Sequence, residues 1–202
     1  ATGNEKDGGF VSTHHEVTLQ GSLLAGGGLI YVPQGRAAPL AFEQEDGKAA
    51  GSIGHAGGVT CVLTEDNKFL AGPASQKPTS EQIALTDLAT GKPVATFNHT
   101  NCVTVSGKIA YLHSRDKLRA LDLSSAPEPK ELWAVPHAAP VELIVAGPHL
   151  LVGLANEVVI IDSSTGKSLT SLKVDGTAHG LAVAGNSLYV STDRGAIHAF
   201  GP

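Results

Sequence analysis

The residues best suited to chemistry are four histidines, His55, His99, His137 and His179. Each stands just ahead of a short apolar run. If those runs surround a common axis, the four imidazoles meet at one mouth of a channel and form a candidate transition-metal or anion site. Their registers disagree, because they lie 11, 8, 10 and 6 residues before the next turn residue. No closely spaced HxH or CxxC pair accompanies them, and no acid has an evident role beside them. The bland reading, solvated loop histidines, therefore stands next to the metal site. His14, His15, His113, His149 and His198 are scattered and read as surface or packing residues.

Cys61 and Cys102 each lie five residues before their own turn residue. They are a candidate inner-strand thiol pair at equivalent places in successive repeats. Three states are open to them: two separate buried thiols, a disulfide if the Cα atoms approach within about 7 Å, or thiolate ligation. Arg36, Arg115 and Arg194 occupy equivalent polar turns and read either as an anion-facing row or as solvated turn residues. No GxSxG nucleophile elbow and no P-loop is present. Gly26-Gly27-Gly28 sits between two strand-like runs, so it reads as a hairpin turn and not as a phosphate cradle.

The elements that position these residues are short and repeated. Leu188 to Phe200, LYVSTDRGAIHAF, is an apolar run, a polar turn and a second apolar run. The pattern recurs at Leu29, Ile109 and Leu150. Turn residues at Gly26, Asp66, Gly107, Gly147 and Gly185 are spaced by 40, 41, 40 and 38 residues. A period near 40 built from four short strands is the mark of a β-propeller blade. Blades stack face to face, which accounts for nearly continuous apolar runs such as VVII where a half-exposed strand would alternate. A second signature follows the third strand of several repeats: EQEDGK at Glu43, DLATGK at Asp87 and DSSTGK at Asp162. Its acid accepts backbone N–H bonds and its glycine permits a tight connection, so these residues read as turn chemistry.

Composition sets the outer limits. The chain has 202 residues, 42% of them hydrophobic, enough for a core in one domain of ordinary size. The formal charge of -5 provides no basic footprint for nucleic acid. No apolar run approaches the roughly 20 residues that span a bilayer as a helix. Residues 1–9 are expected to form a loose tail, and residues 10–202 a single domain, either a whole ring or a segment of a larger one. The start lacks the charged and apolar regions of a signal peptide and an initiator Met, which predicts a processed or trimmed start.

The pattern LYV-x-T-x-x-G with D-x-x-T-G-K resembles the quinoprotein-like (PQQ-type) β-propeller repeat, from about Gly21 to Phe200. The resemblance implies an all-β propeller of about five four-stranded blades. The fifth repeat lacks an outer strand, and Phe10 to Leu19 precedes the first with nothing to pair with, so the N-terminal strand is expected to close the ring. The family holds PQQ dehydrogenases and cofactor-free scaffold propellers of the bacterial envelope. Dehydrogenase repeats place Trp shortly after T-G-K; here Trp133 is the only Trp. The expected function is a non-catalytic interaction or scaffold domain, with no cofactor, with other proteins or domains as partners, and in the periplasm or cell envelope. The alternative is a PQQ- or metal-dependent oxidoreductase domain.

Overall fold

A computed structural model describes residues 19, 21–35, 37–53, 60–72, 82–125 and 128–201. The expected strand over Phe10 to Leu19 lies outside the described residues, apart from Leu19 itself. Among the described residues, all regular structure is β. The strands are β1 (Leu24–Gly26), β2 (Leu29–Gln34), β3 (Ala37–Glu43), β4 (Ala49–Ser52), β5 (Thr60–Leu63), β6 (Lys68–Gly72), β7 (Gln82–Asp87) and β8 (Pro93–Asn98). They continue as β9 (Thr100–Ser106), β10 (Ile109–Ser114), β11 (Lys117–Asp122), β12 (Lys130–Pro136), β13 (Glu142–Ala146), β14 (His149–Asp162), β15 (Ser168–Ala184), β16 (Ser187–Thr192) and β17 (Ile197–Phe200). Each apolar run singled out in the sequence is a strand.

The chain divides into two compact units, Ala1–His99 and Thr100–Pro202. The first holds two four-stranded sheets, β1-β2-β3-β4 and β5-β6-β7-β8, in which sequence neighbours pair. Every pairing is antiparallel, as short hairpin connections require. Tyr31 and Ala41 from one sheet pack on Phe69 and Ala71 from the other. The Tyr31 and Phe69 rings lie 5.2 Å apart in a tilted arrangement. Gly26 ends β1, so the first turn belongs to Gly27 and Gly28, where φ is +61° and +79°. That corrects the turn position expected from the sequence by one residue. Two successive positive φ values match the right-handed twist of a tight hairpin, and glycine reaches them without strain.

The second unit holds a four-stranded sheet, β12-β11-β10-β9, and a five-stranded one, β13-β14-β15-β16-β17. The first part of β14 pairs with β13, and its later part, from Ala155, pairs with β15. β15 in turn serves β14 up to Thr177 and β16 from Ala178 onward. Two repeats are thus fused through one long strand.

Successive residues of β14 show why Leu150, Leu151 and Val152 are apolar without a break. Leu150 and Val152 enter a core with Tyr111, Leu118 and Ala120 of the neighbouring sheet. Leu151, between them, enters a separate core with Leu188 and Val190 of β16. A strand points alternate side chains to opposite faces, and here both faces are covered. Full burial of each such aliphatic side chain stabilises by about 1.5–3 kcal/mol.

Trp133, on β12, joins the two sheets of this unit. Its indole N–H donates to the Ser163 carbonyl at 2.9 Å, and its ring lies 6.1 Å from that of Tyr111. A Cβ placed on Gly166 would sit 2.7 Å from Trp133 Cε3. The indole therefore rests directly on the Thr165-Gly166 turn of the next repeat.

Candidate functional site

The turns after the third strands are built as the sequence indicates. Asp162 Oδ1 accepts the Ser164 and Thr165 backbone N–H groups at 3.0 and 2.9 Å, and both hydroxyls at 2.6 and 3.0 Å. Asp87 accepts the Thr90 N–H and hydroxyl at 2.8 and 2.9 Å. Asp122 does the same for Ser124 at 2.8 and 2.6 Å, although its turn sequence differs. These donors hold all three carboxyls below the usual aspartate range. In each case Oδ1 is committed to the acid's own turn, so these acids fix the connection between strands.

The three candidate histidines among the described residues fall in different surroundings. His55 lies outside the described residues. His99 is exposed in the tight turn between β8 and β9, with φ of +55°. His137 is half-buried just after β12; its Nδ1 lies 2.8 Å from the Ala138 carbonyl. The His137 carbonyl is 3.0 Å from Nε2 of His113, a buried residue of β10. His179 is exposed on β15, at an irregularity where pairing to β16 shifts between Ala178 and Gly180. Among the described residues, no three His, Cys, Asp or Glu side chains gather closely enough to hold a metal ion.

Both cysteines are free and half-buried. Cys61 lies on β5 and Cys102 on β9, the first strand and one edge of its own sheet in each case. Burial pushes the Cys61 thiol up to about 12. Burial, reinforced by the nearby Glu142 carboxylate, does the same for Cys102. A thiol with that acidity is protonated at neutral pH, so it is a poor nucleophile and a poor metal ligand.

Glu142 is a residue that sequence reasoning missed. It opens β13, where burial raises its carboxyl above the ordinary range. The Leu143 N–H and the charge of His179 act against that rise. His179 also draws on Asp193, whose Oδ1 accepts the Thr177 N–H at 2.8 Å and which is held low mainly by that bond. Glu142 on β13 is therefore felt by Cys102 on β9 and itself feels His179 on β15. No local sequence signal marks this group, because its members are some 40 residues apart and meet only through the stacking of repeats. Of the three arginines, Arg36 lies outside the described residues, Arg115 is exposed at φ +61°, and Arg194 is paired with Asp175.

Antiparallel four-stranded units, an apolar face on both sides of each sheet and hairpin turns near every fortieth residue define an all-β protein of propeller type. The comparisons with known proteins agree on that class. The chain resembles BamB from Moraxella catarrhalis with a TM-score of 0.66 and 18% identity, over 91% of this chain and 59% of that one. BamB is a β-propeller. The computationally designed Ika8 protein matches with a TM-score of 0.68 at 14% identity, over 89% of this chain and 57% of that one. The designed Ika4 protein matches at 0.58 and 15%, over 74% of this chain and 97% of its own. The chain thus spans less than two thirds of BamB and of Ika8. No protein-family model matches the chain, and no curated protein does. At these identities the likeness shows the fold alone.

Proposed function

We propose that this protein is a non-catalytic β-propeller of about five repeats that acts as a protein-interaction or scaffold domain in the bacterial envelope. One observation carries the reading: the recurrent aspartates each turn an oxygen onto their own turns. Asp87, Asp122 and Asp162 each bind neighbouring N–H and O–H groups, and Arg194 binds Asp175. The likeness to BamB supports the propeller scaffold and, through the family resemblance, an envelope location.

The competing reading is a PQQ- or metal-dependent oxidoreductase domain. Titration of the purified protein with PQQ and Ca²⁺, together with elemental analysis, separates the two. The scaffold reading expects neither binding heat nor a stoichiometric metal. One mole of bound quinone or metal per chain would replace it with the oxidoreductase. Fractionation of the native host tests location: recovery in the cytosol would remove the envelope assignment.

A further inference from the structure

The long strand β15 is held unevenly along its length. Its register with β14 passes from Lys173 to Thr177, so Val174, Asp175 and Gly176 cross between two repeats without partners in that ladder. Pairing to β16 begins at Ala178. Three side chains of the β16–β17 hairpin cover the gap. Asp193 Oδ1 accepts the Thr177 N–H at 2.8 Å, Arg194 pairs with the Asp175 carboxylate, and His198 Nε2 lies 3.1 Å from the Asp175 backbone nitrogen. Gly176 fits beneath them because it has no side chain. A Cβ there would lie 2.5 Å from Asp193 Oδ1 and 3.0 Å from Arg194 Cγ.

The His198 contact differs in kind from the other two. A backbone N–H only donates, so His198 Nε2 is the acceptor and carries no proton in this arrangement. The imidazole proton then sits on Nδ1, and the ring is stacked with Phe200, centroids 6.3 Å apart and planes 10° from parallel. Protonation puts a hydrogen on Nε2 and sets one donor against another. Asp193 is held low, mainly by the Thr177 N–H, and Arg194 stays charged, so both keep their bonds while an imidazole titrates. The charged groups around His198 come from two elements. β15 brings Asp175, with Lys173 and His179 further along it, and Lys173 pairs with Glu157 of β14 at 2.7 Å. The turn brings Asp193 and Arg194, and β16 carries no charged residue.

We propose that His198 is a proton-operated latch on the crossover between the last two repeats. Neutral, it ties the Asp175 amide to β17. Protonated, it releases that amide and remains beside the Asp175 carboxylate, which Arg194 already holds. The tie from Asp193 to Thr177 persists in both states. Acid therefore loosens the crossover at Asp175 without opening all of it. The latch stands on the geometry of the last two repeats and goes beyond the proposed scaffold function.

The test is amide solvent exchange, followed by NMR on the full chain between about pH 8 and about pH 5, the range in which an imidazole titrates. Each rate is divided by the intrinsic rate at the same pH, and the His198 ring protons report its protonation in the same samples. Protection of the Asp175 amide is expected to fall about fivefold, the weight of one ordinary hydrogen bond, in step with His198 protonation. Thr177 is the internal reference and is expected to keep its protection. His198→Gln, whose amide oxygen accepts the same N–H and does not titrate, is expected to keep Asp175 protected throughout. His179→Gln is expected to retain the wild-type fall. Constant protection of Asp175 while His198 titrates overturns the proposal. So does an equal fall at Thr177, which marks opening of the whole crossover. A fall that persists in His198→Gln, or vanishes in His179→Gln, assigns the proton to another group and overturns it too. If a variant does not fold, the wild-type comparison of Asp175 with Thr177 decides alone.

Discussion

Trp133 provides the sharpest test of how the third and fourth sheets are held together. Trp133→Ala removes a half-buried indole from the core that contains Tyr111, Leu143 and Ile161. Loss of an aromatic side chain from a core costs about 3–5 kcal/mol, and partial burial places this one near about 3 kcal/mol. The hydrogen bond to the Ser163 carbonyl accounts for about 1 kcal/mol of that. Trp133→Phe should therefore cost between the two values. Gly166→Ala attacks the same contact from the other side. Gly166 has a φ of +73°, and an added Cβ would lie 2.7 Å from the indole. The left-handed backbone alone costs a residue with a Cβ about 1–2 kcal/mol. The clash adds to this while Trp133 is present and vanishes when it is not. In a double-mutant cycle, Gly166→Ala should then be cheaper in the Trp133→Ala background by more than about 1 kcal/mol. Urea unfolding followed by circular dichroism measures all four proteins. The wild type can also be followed by indole emission, since the chain has a single Trp. Additivity within about 0.5 kcal/mol would refute the contact, because residues that do not touch behave that way.

The remaining predictions concern acids and thiols. Asp87, Asp122 and Asp162 have folded-state acidities below the ordinary aspartate value, so their contribution is complete above that value and fades as pH falls toward the folded one. The melting temperature should accordingly drop below about pH 4, and Asp162→Ala should flatten part of that drop, as thermal melts across pH will show. Glu142 has the opposite sign: burial disfavours its charged form, so Glu142→Gln should raise the melting temperature at neutral pH and lose the advantage in acid. A destabilised Glu142→Gln at neutral pH would contradict the burial argument. Cys61 and Cys102, with thiols pushed to about 12, should react slowly with an aromatic disulfide reagent at mildly alkaline pH. Both should titrate fully in denaturant without reductant; rapid reaction of the native protein would show an ionised thiol.

Local features were legible in the sequence, and contacts between repeats were not. The strands could be read because hydrophobic runs bounded by Gly, Asp and Asn need no knowledge of tertiary structure. The DxxTGK turns could be read because Asp162, Thr165 and Gly166 satisfy one another within five residues. Trp133 shows the limit. It follows Lys130 as the expected Trp follows T-G-K, but the longer SSAPEP turn hides the correspondence, and its partner Ser163 belongs to another repeat. The placement of the four histidines could not be read for the same reason. Whether His99, His137 and His179 share a height depends on hairpin twist and bulges, such as the shift beside His179. A one-residue difference in register is enough to send a side chain to the other face.

The long strand β15 has a mechanical consequence. Ser168 to Thr177 lies along β14, and Ala178 to Ala184 lies along β16. Without a loop between the two stretches, there is no slack to absorb displacement. A pull that reaches β15 through β16 is passed directly to the β14 ladder, because no loop between the two stretches of β15 can straighten first. The last two repeats should then yield in one event under force, whereas repeats joined by a slack loop would extend one after the other.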